Sequence, residues 1–569
     1  MRELFTKEGR KLYEDKERIP WQEHPRPLLK RDSFLNLCGF WTFSVYEKNT
    51  RIDPGADRIR VPFPPESILS GIGRHFAEGA DLIYEKRVSL PENFRKEILL
   101  LHVDGADQHA AVYIDERLVG EHDGGYEHLT LDISDSEDEF DLKIIVRDNL
   151  NDRKEPYGKQ RIKRGGMWYT PFSGIWQPIW IESTPREYVE TLTISTNMEQ
   201  AVIKTDRLFS GCVLVETPEG RIEFPLSNGV SVIKPDNPRL WSPEDPYLYH
   251  FKMILSGGDE ISSYFALREI SCGTDDGVAR LMLNGKPYFF NGLLDQGYFS
   301  DGLCTPADPS LYENDIRIAK EMGFNTLRKH VRVDPDVFYS ACDRLGMVVF
   351  QDMVNNGRYS FLYDTALPNL GFAHFNDRYR YPNVRTRDAF CKRMAETVRQ
   401  LYSFPCILYW TIFNEGWGQF DSAAVCKKLR ALDDSRIIDA ASGWFDQGAG
   451  DVLSVHVYNH AYNHKTSEKP VVLSECGGFV YSVAEHVFNP EKIYGYGIMS
   501  SAEELQKRIE KFYNEEVLPY IKKGLSGVIY TQLSDVEDET NGLVTYDREV
   551  VKIDKKGLPV FRSFTAQAL

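Results

Sequence analysis

The sequence predicts a multidomain protein with three units in series: an N-terminal β jelly-roll sandwich, an immunoglobulin-like β-sandwich and a C-terminal (β/α)8 TIM barrel. Three observations lead there. At 569 residues the chain is longer than one hydrophobic core usually supports, so several domains are needed. Up to about residue 270 it reads as short alternating apolar strands broken by turn clusters. Beyond that point apolar runs alternate with amphipathic helical stretches, the pattern of βα units.

The first unit, residues 1–184, has apolar alternations at 98–103, 111–114 and 142–146. Clusters such as Asp104-Gly105-Ala106-Asp107 and Asp123-Gly124-Gly125 separate them, which suits a jelly roll. The second unit, 185–270, holds another set of short strands, including 213–216 and 249–255, in a length that suits a small immunoglobulin-like sandwich. The third, 271–569, supplies eight candidate strands at 288–294, 325–330, 347–352, 407–414, 437–441, 452–458, 471–474 and 527–533. Amphipathic stretches at 310–322, 387–402, 422–432 and 502–523 lie between them. Eight such units in roughly 300 residues fit one closed barrel.

Composition narrows the partners. The 68 Lys and Arg against 85 Asp and Glu give a net charge of −17, which argues against nucleic acid or an anionic membrane. The segment Met1 to Glu8 lacks the apolar stretch of a signal peptide, and no run approaches the ~18 apolar residues of a membrane helix. The nine cysteines show neither zinc-site spacing nor a disulfide framework. A cytoplasmic protein with no metal and no cofactor is expected; a homo-oligomer is compatible with the sequence, which fixes no stoichiometry.

Two glutamates carry the chemistry. Glu415 lies in Thr411-Ile412-Phe413-Asn414-Glu415-Gly416-Trp417-Gly418, and Glu475 in Val471-Val472-Leu473-Ser474-Glu475-Cys476-Gly477-Gly478. Each follows an apolar run of the kind that forms a parallel strand buried on both faces, and each is followed at once by a small residue or glycine. On the strand count they end strands four and seven and share the C-terminal mouth, where barrel active sites lie. Two carboxylates in one mouth are the equipment for glycoside hydrolysis. Arg328, ending strand two, and Tyr458, ending strand six, are placed to hold Glu475 ionised. His330 and His456 project from strand ends toward sugar hydroxyls. Trp417 and Trp444 are each either a sugar platform or packing beneath a loop, while Asp123 and Asp295 read as turn and strand-end groups.

Further stretches extend the pattern over nearly the whole chain. They include Leu37-Cys38-Gly39-Phe40-Trp41-Thr42-Phe43, Gly120-Glu121-His122-Asp123-Gly124-Gly125-Tyr126 and Ser173-Gly174-Ile175-Trp176-Gln177 in the first unit. Leu240-Trp241-Ser242-Pro243-Glu244-Asp245-Pro246-Tyr247 follows in the second, and Gly323-Phe324-Asn325-Thr326-Leu327-Arg328-Lys329-His330 in the third. In content and order these resemble glycoside hydrolase family 2, the β-galactosidase and β-glucuronidase family. The resemblance implies that Glu415 is the general acid/base and Glu475 the nucleophile of a retaining mechanism. It also implies that Asn414 hydrogen-bonds the sugar 2-hydroxyl.

The chain departs from the family's pattern after strand eight. The Asn-x-Lys motif with which β-glucuronidases bind the substrate carboxylate is missing, since Leu543 stands where that lysine is sought from Asn541. The run Asp535-Val536-Glu537-Asp538-Glu539 is acidic and would repel an anionic sugar. Where members often carry a strand-eight tryptophan this chain has Tyr530-Thr531-Gln532-Leu533, so Gln532 and Asp535 become candidate sugar contacts. The expected activity is that of an exo-acting β-galactosidase on a carbohydrate substrate. One alternative is a β-glucuronidase or β-galacturonidase that reads its carboxylate with Arg358 or Arg378–Arg380; another is a carbohydrate-binding protein that has lost catalysis.

Overall fold

The computed structural model describes residues 2–150, 152–370, 372, 376–379, 383–458, 460–464 and 466–561. The N-terminal sandwich is built around Glu139–Arg147, which pairs antiparallel with Asp81–Ser89 on one side and His109–Ile114 on the other. Alternate residues of this strand (Phe140, Leu142, Ile144 and Val146) point inward and are fully buried, as the two-residue period of a strand requires. The facing sheet runs in the order Leu35–Asn36, Ile179–Thr184, Ile98–Val103, Leu129–Asp132. Trp41, Tyr84, Leu99 and Ile181 fill the space between the two sheets. A smaller sandwich follows, with a three-stranded sheet facing a four-stranded one over Val213, Tyr249 and Phe265.

The barrel strands are Phe290–Asp295, Thr326–Lys329, Val348–Asp352, Ile407–Thr411, Ile437–Asp439, Leu453–Val457, Val471–Gly477 and Leu525–Thr531. They form one parallel sheet in the order five, four, three, two, one, eight, seven, six. The seam between strands five and six carries no ladder; Ser442 Oγ and Ser454 Oγ, 3.2 Å apart, meet across it. Strands four, seven and eight are buried at every residue, which is why they read as unbroken apolar runs.

All eight strands fall where the sequence indicates, and two helices, Ser310–Met322 and Ser422–Leu432, agree residue for residue. The stretch 502–523 is not one helix. Ala502–Phe512 opens into a wide turn at Tyr513–Val517 before a short helix, Leu518–Ile521. Pro519 explains the break: it has no N–H to donate and its ring crowds the carbonyl four residues earlier. Helix Asp336–Leu345 was not anticipated from the sequence. No helix among the described residues is long and apolar enough to cross a membrane.

One segment of the N-terminal sandwich, around residues 152–172, crosses onto the barrel mouth. The backbone N–H groups of Tyr157 and Gly158 donate to Asn355 O at 3.1 and 3.2 Å, and Tyr157 Oη donates to Gly357 O at 2.7 Å. Trp168 packs edge-on against Trp417 and Tyr359, with ring centroids 5.2 and 5.0 Å apart. The mouth therefore has one wall from a different domain.

Candidate active site

Glu475 sits inside strand seven at a register shift, between Leu473 and Cys476, against strand eight. A bulge of this kind re-aims a side chain that regular pleating would point elsewhere. His456, directly across on strand six, also lies at a register shift. Glu475 Oε1 accepts from Arg328 Nη1 at 3.0 Å, and its Oε2 accepts from Tyr458 Oη at 2.6 Å. Burial would raise this carboxyl. The groups facing it, His456, His330, Arg328 and Lys159, outweigh burial and hold it well below the usual carboxylate range. Arg328 alone of the four cannot lose its charge.

Glu415 lies beyond the end of strand four, with its backbone in the left-handed region at φ 53°. A non-glycine residue there is uncommon and must be held by its surroundings. Two bonds hold it: Glu415 N donates to Ser442 O at 2.9 Å, and Trp444 Nε1 donates to Glu415 O at 3.0 Å. The side chain turns back so that Oε1 lies 2.9 Å from His456 Nδ1, which is itself 3.6 Å from Glu475 Oε2. One oxygen of each glutamate and that nitrogen all lie within 4.8 Å of one another. Such closeness fits the ~5–5.5 Å carboxyl spacing of retaining glycosidases and not the ~6.5–9.5 Å of inverting ones.

Around this pair the polar groups form a directed network. Arg328 Nη1 approaches His456 Nε2 at 3.4 Å and can only donate, so the imidazole proton belongs on Nδ1, pointing at Glu415. Glu415 Oε1 then accepts from His456, and Oε2 is the oxygen able to carry a proton outward. Arg328 Nη2 donates to Asn414 Oδ1 at 2.9 Å, leaving the Asn414 amide N–H groups for a ligand. Arg328 Nε donates to Asp352 Oδ1 at 3.0 Å, and Asp352 Oδ2 accepts from His330 Nδ1 at 2.8 Å. Burial, with the charge of Lys159 next, pushes His330 down to about 4, so it is neutral at pH 7. Its buried Nε2 has no protein partner among the described residues and offers a lone pair. By type and spacing Glu415, His456 and Glu475 could also hold a divalent ion. The guanidinium already bonded to Glu475 disfavours a second cation there.

The structure thus brings together Glu415, Glu475, Asn414, Arg328, Tyr458, His330, His456 and Trp444. Gln532 and Asp535 go elsewhere. Gln532 Nε2 donates to Asn541 Oδ1 at 2.8 Å beneath the strand-eight loop. Asp535 is buried against Lys552 Nζ at 2.6 Å and also accepts from Gly542 N, so it holds the loop's shape and is not a sugar contact. Trp417 is buried in the aromatic wall rather than offered as a platform. Asp295 is ion-paired with Lys329 at 2.5 Å, and Asp123 accepts from His109 at 2.8 Å at the surface. Arg358 and Arg378 are exposed to solvent, and Arg380 lies outside the described residues.

The acidic run after strand eight is also not the repulsive field its sequence suggests. Glu537 accepts from Thr170 N at 2.9 Å and from Arg164 Nη1 at 3.3 Å. Asp538 accepts from the same guanidinium at 3.1 Å and from Asn489 Nδ2 at 2.8 Å. Glu539 accepts from Tyr169 Oη at 2.5 Å and from Asn541 Nδ2 at 3.1 Å. These carboxylates are turned inward and bonded, several of them to the N-terminal sandwich. Lys552 shows what that costs: it is fully buried, and burial lowers it while Asp535 is pushed up to about 6. Lys552→Met leaves Asp535 without its cation and is expected to destabilise the protein by about 3–5 kcal/mol. The midpoint of urea unfolding measures this; an unchanged midpoint would mean Asp535 finds another partner.

Several residues of the mouth were not found by sequence reasoning. Asp352 gave the same signal as the glutamates, a carboxylate at the end of an apolar strand, and was passed over. Tyr359, Tyr494 and Tyr496 line the rim close enough to Glu415 for its charge to add to the burial that raises all three. Lys159 comes from the crossing segment of the first unit, where only an excess of basic residues and glycines set it apart.

Known proteins resemble this chain in sequence and in fold. The model of the glycosyl hydrolases family 2 TIM barrel domain matches residues 276–525, and a second glycosyl hydrolases family 2 model matches residues 182–268. The β-glucuronidase of Chlorocebus aethiops is 24% identical over 464 residues, covering 69% of this chain and 68% of its own length. Among solved structures, the β-D-glucuronidase of Dictyoglomus thermophilum superposes with a TM-score of 0.71 at 18% identity, over 96% of this chain and 98% of that one. A family 2 β-galacturonidase of Eisenbergiella tayi, bound to galacturonate, gives a TM-score of 0.66 at 18% identity, over 96% and 99%.

Proposed function

The chain belongs to glycoside hydrolase family 2, and we propose that within it the protein is a retaining, exo-acting β-uronidase acting on β-glucuronides or β-galacturonides. The hydrolase class is that of the family; the substrate is the new element. The observation that carries it is the run of β-glucuronidases among its curated relatives, together with the inward-turned acidic loop that removes the physical objection to an anionic sugar. The β-galactoside preference expected from the sequence finds no such support.

In this reading Glu475, kept ionised by Arg328 and Tyr458, attacks the anomeric carbon as the bond to the leaving oxygen breaks. Glu415 gives the leaving oxygen its proton. In the second half Glu415 takes a proton from water, the water oxygen bonds to the anomeric carbon, and the ester to Glu475 breaks. Asn414 and His330 offer a donor and an acceptor to ring hydroxyls. His456 and Trp444 hold Glu415 in place.

The test is kcat/KM on matched nitrophenyl β-glucuronide, β-galacturonide, β-glucoside and β-galactoside. One uronide is expected to exceed its neutral counterpart by about 100-fold, the discrimination that pairing one otherwise unpaired charge supplies. A neutral hexoside with the highest value would overturn the proposal.

A further inference from the structure

We propose that Lys159, carried by the N-terminal sandwich, is the cation that receives the C6 carboxylate of the uronide. Substrate charge would then be read by a different domain from the one that performs the chemistry. The proposal rests on the uronidase reading above and names the residue that reading lacks, since the Asn-x-Lys lysine is absent and Arg358 and Arg378 are solvent-exposed.

The position of Lys159 is fixed by its neighbours. Gly158 has a φ of 56°, and a Cβ there would come within 2.8 Å of Val331 O, so the backbone is pressed onto the end of barrel strand two. Only glycine allows both the conformation and the approach. Lys159 O accepts from Tyr169 N at 2.9 Å. Gln160 is tied on both sides, its Oε1 accepting from Phe172 N at 2.8 Å and its Nε2 donating to Asp107 Oδ2 at 3.4 Å. The ammonium lies 6.0 Å from the centre of the Tyr169 ring, whose hydroxyl is the group bonded to Glu539 on the strand-eight loop. Lys159 therefore stands between strand two and the loop after strand eight.

Its charge is unspent. Several cations around the mouth are matched: Arg328 with Asp352 and Glu475, Arg164 with Glu537 and Asp538, Arg332 with Asp334, and Lys552 with Asp535, while Arg161 stacks over the rings of Trp168 and Tyr359. Lys159, half-buried, has no side-chain hydrogen bond or ion pair among the described residues. Its ammonium lies beside the Tyr169 ring, and Glu475, His330 and Glu539 are all close enough to feel its charge. A sugar whose anomeric carbon is at Glu475 extends from it across the barrel mouth. An ammonium on a flexible stem suits a point contact with one carboxylate at its far side.

A rival role is electrostatic support of Glu475, which would help every substrate alike. The experiment separates the two by comparing each nitrophenyl β-uronide with its methyl ester, which keeps the ring and loses the charge. Lys159→Met is expected to lower kcat/KM on the preferred uronide by about 100-fold and on its ester by no more than about threefold, with Lys159→Arg within about tenfold of wild type on both. Lys159→Gln, polar and nearly as long, repeats the comparison should the methionine variant fold poorly. Equal losses on acid and ester, or no loss on the acid, overturn the proposal while wild type still prefers uronides. A wild-type enzyme that prefers neutral hexosides overturns the uronidase reading first, and this one with it.

Discussion

Glu475→Gln is expected to lower kcat on every β-uronide by roughly 10⁴-fold or more, because an amide cannot form the glycosyl ester through which both half-reactions pass. The geometry makes the substitution nearly isosteric: the amide oxygen can still accept from Arg328, as the carboxylate does at 3.0 Å. Folding and substrate binding should therefore survive, and the loss should fall on kcat rather than KM. A 2-deoxy-2-fluoro uronyl fluoride, which forms the ester but hydrolyses it slowly, should label the wild-type protein on the peptide carrying Glu475. A label on another residue, or a Glu475→Gln variant with a tenth of wild-type activity, would remove Glu475 from the nucleophile's role.

Glu415→Ala is expected to lose about 10²–10⁴-fold in turnover of substrates with poor leaving groups, the usual worth of a positioned acid. With nitrophenyl uronides the first step needs little protonation, and the loss moves to the second step, where no base remains to activate water. Azide needs no such base. Added azide should therefore speed the variant on activated substrates, leave wild type unchanged, and give the β-uronyl azide. The α-azide would mean that the two glutamates have exchanged roles. His456→Ala should hurt less than Glu415→Ala, because the imidazole, 2.9 Å from Glu415 Oε1, positions the acid and does not replace it.

How legible was all this in the chain itself? The barrel strands were plain because burial on both faces writes an apolar run directly into the sequence, as in Val471–Gly477. The two glutamates were plain for the same reason: a charge that ends such a run has to be explained. The bulge that turns Glu475 into the mouth and the left-handed backbone of Glu415 left no local signature beyond the glycines that follow. Asp535 was misjudged because its partner Lys552 lies 17 residues on, and the ion pair that consumes its charge exists only once the loop has closed. The acidic run failed as evidence for the same reason, its cation Arg164 and donor Tyr169 lying in another domain. Lys159 was invisible because its importance depends on what it does not touch.

The most direct measurement is the anomeric form of the sugar first released from a nitrophenyl β-uronide, followed by proton NMR before mutarotation sets in. With one oxygen of each glutamate within 4.8 Å of the other in the barrel mouth, double displacement is expected, so the β-anomer of the uronic acid should appear first and the α-anomer only later. An α-anomer appearing first would contradict the retaining mechanism, and absence of any release from both uronides would contradict the substrate.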